Sequence, residues 1–202
     1  MPSKPFHSPR RSRARGFTIV ELLAVIMIIA MLAALATPSF IAIIRDRRVV
    51  RAGLFVIDDY REARTRALAR GIAVLVRWRG DATGRGKITM REAIVAPGAG
   101  VTKGCTTSDW ADNSADTRVV GEYDFASPTY ELLNVALYTD TGAASQIADV
   151  CYSPDGRTYV RYADAGAMSA LAGVLRYEIN NNRTNQKRVV FVPPNGVARY
   201  QL

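Results

Sequence analysis

Few side chains in this 202-residue chain have the type and spacing for bond-making chemistry. The single histidine is His7, so a nucleophile–histidine–acid set has one base to draw on, placed in the extreme N-terminal stretch. Cys105 and Cys151 are the only cysteines, too few to hold a structural zinc ion by themselves. Asp109, Asp112 and Asp116 have a spacing open to calcium, but the glycine and terminal glutamate of a calcium loop are missing, and a solvated acidic loop is the expectation. Gly84-Arg85-Gly86 is too short to cradle phosphate, and the glycosylation pattern Asn182-Arg183-Thr184 is expected by chance alone. No catalytic residue, metal or cofactor is therefore expected, and the chain does not read as an enzyme. One group stands apart. Glu21 opens an apolar run, where an unpaired carboxylate costs several kcal/mol unless it stays at an interface or finds a cation.

The element around Glu21 explains its position. Residues 1–16 carry five cations (Lys4, Arg10, Arg11, Arg13, Arg15) and no acid, whereas residues 22–44 carry no charge at all. A helix of 23 residues at 1.5 Å per residue is about 34 Å long, enough to cross a hydrocarbon core of about 30 Å. Cations before the span predict a cytoplasmic N-terminus and a single pass. Ala34-Leu35-Ala36 fits a secretory cleavage pattern, but the apolar run is too long, continues past it and contains an acid. Pro38 predicts a kink or a loosened turn.

Gly16-Phe17-Thr18-Ile19-Val20-Glu21, with its basic leader and long apolar helix, resembles the processing site of type IV prepilins and type II secretion pseudopilins. The resemblance implies cleavage after Gly16 by a prepilin peptidase and methylation of the new amine on Phe17. It also implies pairing of Glu21 with a neighbouring subunit's amine, with Pro38 at a position where pilin helices loosen on packing. The expected parts are a cleaved leader (1–16), a membrane and assembly half-helix (17–44) and a soluble domain (45–202). The expected site is the bacterial inner membrane, with the soluble domain periplasmic or otherwise outside the cytoplasm, and then a filament.

Beyond residue 44, apolar positions Val50, Leu54, Ile57 and Leu68 recur at helical spacing among charges, and acids precede bases by three or four residues over 58–66. Gly71 is the expected stop, giving a helix over 17–70 whose second half lies on a sheet. Strands are expected at 72–78, 87–95, 149–153, 158–162, 175–179, 188–192 and 198–202, separated by turns rich in Gly, Asn and Asp. Residues 97–118 read as a long polar loop. The fold class is α+β, a long helix on an antiparallel sheet. Ala63-Arg64, Ala67, Arg70-Gly71 and the late Gly196-Val197-Ala198-Arg199 resemble the GspH/FimT minor pseudopilins; residues 97–150 match no part of that pattern.

Two functions follow from the resemblance. One is a minor subunit of a secretion pseudopilus or type IV pilus, with other pilins and secreted cargo as partners. The alternative is a DNA-binding minor pilin serving uptake, because some FimT-type proteins bind DNA through a late Gly-Arg-x-Arg motif. Here Val197 stands where the first arginine belongs. The nearby cations Arg183, Lys187, Arg188 and Arg199 remain candidates for phosphate contact or for guarding a sheet edge. The net charge of +9 gives little support to nucleic-acid binding, since loss of the leader leaves 22 basic against 18 acidic residues. A domain outside the cytoplasm would allow Cys105 and Cys151 to bond to each other. Two free thiols are the alternative.

Overall fold

The computed structural model describes residues 17–96, 100–101, 103–106, 110–112, 114–130 and 132–201. The leader 1–16, with Gly16 and His7, lies outside the described residues, as does Asp109. The chain divides after Ile41 into two units.

One helix, α1 (Ile19–Arg70), spans the boundary between them. In the first unit its large apolar side chains are exposed, and Leu22, Ile26, Ile29, Leu32 and Leu35 are each more than half exposed. It is long and apolar enough to cross a membrane. In the second unit the helix is amphipathic. Val49, Ala52, Val56, Tyr60, Ala63 and Ala67 are completely buried, a stripe stepping by three and four residues. This corrects the expected stripe: Ile57 is buried, but Leu54 and Leu68 are 45% exposed. Small alanines occupy the inward face because the helix lies close on the strands, a signal that a search for large apolar residues overlooks. Arg70 is the last helical residue, and Gly71 follows at φ 65°, its N–H bonded to the carbonyl of Ala67. That left-handed stop favours glycine.

Among the described residues thirteen strands follow: β1 (Val74–Gly80), β2 (Gly86–Ala93), β3 (Val95–Ala96), β4 (Gly100–Val101), β5 (Thr117–Asp124), β6 (Leu133–Tyr138), β7 (Ala144–Ser145), β8 (Ile147–Tyr152), β9 (Thr158–Arg161), β10 (Ser169–Ala170), β11 (Leu175–Asn181), β12 (Lys187–Val192) and β13 (Arg199–Tyr200). They form a six-stranded sheet ordered β10-β9-β8-β1-β2-β5, a five-stranded sheet ordered β13-β12-β11-β6-β7, and the ribbon β3-β4. Every pairing is antiparallel. The single expected sheet is thus two. The difference arises in residues 97–150, where β5 and β6 form in a stretch for which no strand is expected before residue 149.

The main core joins α1 to the inner faces of both sheets, through Val76, Trp78 and Ile88 on one and Val135, Tyr177 and Val190 on the other. Its tyrosine hydroxyls are paired, whereas Trp78 Nε1 has no hydrogen-bond partner among the described residues. The Tyr60 and Tyr177 hydroxyls lie 2.6 Å apart, and the Tyr200 hydroxyl donates to the carbonyl of Val50 at 2.6 Å. Burial and the facing tyrosine hydroxyl push Tyr60 well above its ordinary pKa.

A second, smaller core lies on the outer face of the six-stranded sheet. Ala73, Leu75, Ala93, Cys105, Trp110, Cys151 and Met168 are buried together there. β1 is consequently buried on both sides over Val74–Trp78, which is why its sequence is almost continuously apolar rather than alternating.

Candidate functional site

At the head of α1, Phe17 is 77% exposed and Thr18 precedes the first helical turn. The N–H of Glu21 donates to Thr18 Oγ1 at 3.2 Å. Thr18 and Glu21 have the spacing of a capping box, in which a threonine and a glutamate three residues on satisfy free amides of the first turn. The spacing Thr-x-x-Glu was readable in the sequence and gives Glu21 a local role besides any intersubunit one. The Glu21 side chain is exposed and forms no ion pair among the described residues. Its negative charge sits at the positive end of the helix dipole. Pro38 lies inside the helix, which runs through it. The preceding Thr37 hydroxyl donates to the Ala33 carbonyl at 2.7 Å.

All four late cations are exposed, and Lys187 and Arg188 line one cleft with Arg176 and Glu178. Arg183 is exposed in the turn after β11, where its backbone N–H donates to Asn181 Oδ1. Alternation along β12 sends Lys187 to the outward side with Phe191, and Arg188 to the side of buried Val190. Arg199 pairs opposite Phe191 and is outward too. Lys187 Nζ is 2.7 Å from Glu178 Oε2, so part of its charge is already neutralised. The late Gly196-Val197-Ala198-Arg199 stretch has a structural explanation. Gly196 sits at φ 73°, and a Cβ there would fall 2.4 Å from the Tyr152 ring. The buried Ala198 offers its carbonyl to Arg61 Nε at 3.0 Å, fastening the C-terminal strand to α1.

Cys105 and Cys151 are joined in a disulfide with Cα atoms 5.5 Å apart. The bond ties the segment before β5 to β8, where Cys151 is fully buried. Beside it lies an ion cluster that sequence reasoning missed. Asp149 has no exposed surface and receives two bonds of 2.9 Å from Arg77, a third of 3.0 Å from Arg79 and a fourth from Arg161. Burial alone would raise the Asp149 pKa, but hydrogen bonds from Arg77 and Arg161 outweigh it and hold the carboxyl below its ordinary range. Arg77 also donates to the Trp110 carbonyl at 2.7 Å and to Asp112. Asp112, expected in a solvated acidic loop, is therefore an ion-pair partner. Asp116 lies 3.6 Å from Lys103. The readable signal was Arg77 and Arg79 at alternate positions of an apolar strand, which puts both on one face.

At the other end of the sheet, Glu92 is 1% exposed and gathers Arg70 at 2.9 Å, Arg66 at 3.6 Å and Arg118. This anchors the end of α1 to β2 and β5.

Residues 11–37 match the family described as the prokaryotic N-terminal methylation motif. No curated protein matches the chain. Among solved structures it is similar to the type IV minor pilin FimU of Pseudomonas aeruginosa strain PAO1 in two crystal forms. The P21 form is 10% identical with a TM-score of 0.44, covering 77% of this chain and 90% of that one. The P65 form is 10% identical with a TM-score of 0.41, covering 75% and 91%. The methylation-motif match covers the basic stretch before Gly16 and the head of α1, the part of the chain that holds Phe17 and Glu21.

Proposed function

We propose that the protein is a minor pilin or pseudopilin, made as a precursor and assembled through α1 into a type II secretion pseudopilus or a type IV pilus. The observation that carries this reading is a single helix with two characters. Its first part exposes apolar side chains along its length, behind a methylation motif. Its second part supplies one face of a packed core. Exposed apolar surface of that extent needs lipid or other subunits to cover it. In this reading a prepilin peptidase removes residues 1–16 at Gly16 and the amine of Phe17 is methylated. The span then lies in the inner membrane with its N-terminus cytoplasmic, and Glu21 pairs with a neighbour's amine during assembly.

Mass analysis of the N-terminus of membrane-extracted protein tests the reading. A methylated Phe17 start is expected, and a start at Thr37 would point to secretory processing instead. Glu21→Ala is expected to insert into the membrane normally but to enter filaments poorly. Normal incorporation of that variant would end the pairing idea.

The structural role is favoured over DNA uptake because Val197 stands where the uptake motif has its first arginine and Lys187 is paired with Glu178. Salt-dependent DNA binding lost in Arg188→Ala plus Arg199→Ala would reverse that preference.

A further inference from the structure

On the outer face of the six-stranded sheet, register aligns Arg161, Asp149, Arg77, Thr89 and Glu122 across β9, β8, β1, β2 and β5. Arg91 lies further along β2, opposite Leu75. Arg77, Arg79, Lys87, Thr89 and Arg91, with the carboxylates Asp112 and Glu122, wall a cleft of about 260 Å³, and Lys87 Nζ lies 2.7 Å from Glu122 Oε1. The charges around it are unevenly buried. Arg77, Arg91 and Arg161 are 5%, 6% and 5% exposed, whereas Asp149 is the one carboxylate of the cluster that is fully buried. Among the described residues the other counter-charges, Asp112, Asp164 and Glu122, have side chains 71%, 72% and 49% exposed.

Arg91 is where the imbalance is felt. Its Nη1 reaches Thr117 Oγ1 at 3.4 Å and the Ala111 carbonyl at 3.5 Å, both at the limit of a hydrogen bond. Its Nε has no hydrogen-bond partner. Arg77, by contrast, makes three bonds of 2.9 Å or less to Asp149 and Trp110. A guanidinium carries five N–H groups in a planar fork, and burying them unfilled is unfavourable. Burial lowers the Arg91 pKa, Asp112 opposes the shift, and the like charge of Arg77 adds to it. One oxygen relieves both arginines: Oδ1 of Asp112 pairs with Arg77 Nη1 and lies 3.2 Å from Arg91 Nη2. That oxygen is held between two guanidiniums, in the way protein sites hold oxyanions, and it belongs to an exposed side chain free to leave.

We propose that this cleft is a binding site for a small divalent oxyanion, sulfate or a phosphate group, which takes the position of the Asp112 carboxylate. Arg91 and Arg77 grip the anion, Lys87 closes the rim, and Asp112 is its internal stand-in. With Asp112 swung out, Arg77 and Arg91 turn two guanidiniums toward one oxygen position, which suits an oxyanion with several acceptor oxygens better than a chloride. The site is independent of filament assembly.

The test uses the full-length protein in detergent, titrated with sodium sulfate and separately with inorganic phosphate, against sodium chloride at matched ionic strength. Saturable binding heat is expected for the dianions only. Asp112→Asn removes the competing carboxylate and is expected to bind sulfate about tenfold more tightly. Arg91→Met is expected to lose the saturable signal. Lys87 is half exposed and its replacement spares the fold, so Lys87→Met is expected to weaken binding about threefold even if the Arg91 variant unfolds. Glycerol 1-phosphate binding more tightly than inorganic phosphate would identify the source as a phosphorylated molecule, and the reverse order a free anion. A response matched by chloride, one unchanged in Lys87→Met, or weaker sulfate binding by Asp112→Asn overturns the proposal.

Discussion

The two faces of the six-stranded sheet are buried by different physics. The inner face packs against α1 through close-fitting apolar and tyrosine side chains. The outer face is covered by Cys105, Trp110 and their described neighbours before β5, held down by a disulfide, a few apolar contacts and an ion cluster. Packing of the first kind is spread over many small dispersion contacts and is indifferent to redox state and acidity. The second kind concentrates its stabilisation in a few groups, so one chemical change can undo much of it.

The largest effect should come from Asp149. Asp149→Ala leaves Arg77 and Arg161 buried without their main counter-charge and should destabilise the domain by about 3–5 kcal/mol, read by urea unfolding. A loss below 1 kcal/mol would mean that water reaches the cluster and that the faces are less different than they look. Next comes the bridge. Cys105→Ala plus Cys151→Ala, or reduction, should remove about 2–4 kcal/mol and raise hydrogen exchange around Trp110 before it changes around Tyr60. Uniform loosening of both faces would break the comparison. On the inner face, Tyr60→Phe strands the Tyr177 hydroxyl and should destabilise by about 1–2 kcal/mol, with no dependence on reductant.

The smallest effect is a matter of pH. Asp149 is ionised more readily folded than unfolded, so its stabilising contribution is present at neutral pH and is lost as acid takes the medium below the ordinary carboxylate range. Asp59 on α1 behaves oppositely. Burial, with Glu62 and Asp58 adding repulsion, raises its pKa to about 7. Between about pH 4 and 7 the folded chain holds a proton that the unfolded chain has released, so stability falls as pH rises through that window. Asp59→Asn should flatten the fall while leaving the acid limb due to Asp149 in place. A profile identical to the parent's would show that Asp59 is better solvated than its surroundings imply.

Legibility in the sequence followed the same division. Gly71, the hairpin around Asp155-Gly156 and the late strands were readable because turn chemistry and alternation are local. The membrane-length apolar run was readable from composition alone. β6 was readable in principle, since Leu133, Val135 and Leu137 alternate inward. It was hidden by its neighbourhood of polar, glycine-rich chain. β5 lies at a sheet edge with mixed exposure and carries little periodic signal. The ion cluster joins residues from strands far apart in sequence, and no local pattern reports that Asp149 lies opposite Arg77 on one side and Arg161 on the other. The Thr18 cap is local, and the Thr-x-x-Glu spacing reports it directly.

The bridge between Cys105 and Cys151 also closes a covalent ring. Within that ring run β5 and β8 of one sheet and β6 and β7 of the other. A protease outside the cell that cuts once between these cysteines opens a loop but frees no fragment. The N-terminal piece, with its apolar helix, stays chained to the C-terminal strands that fasten it at Arg61 and Val50. Damage of that kind would leave a nicked subunit in place instead of a severed one.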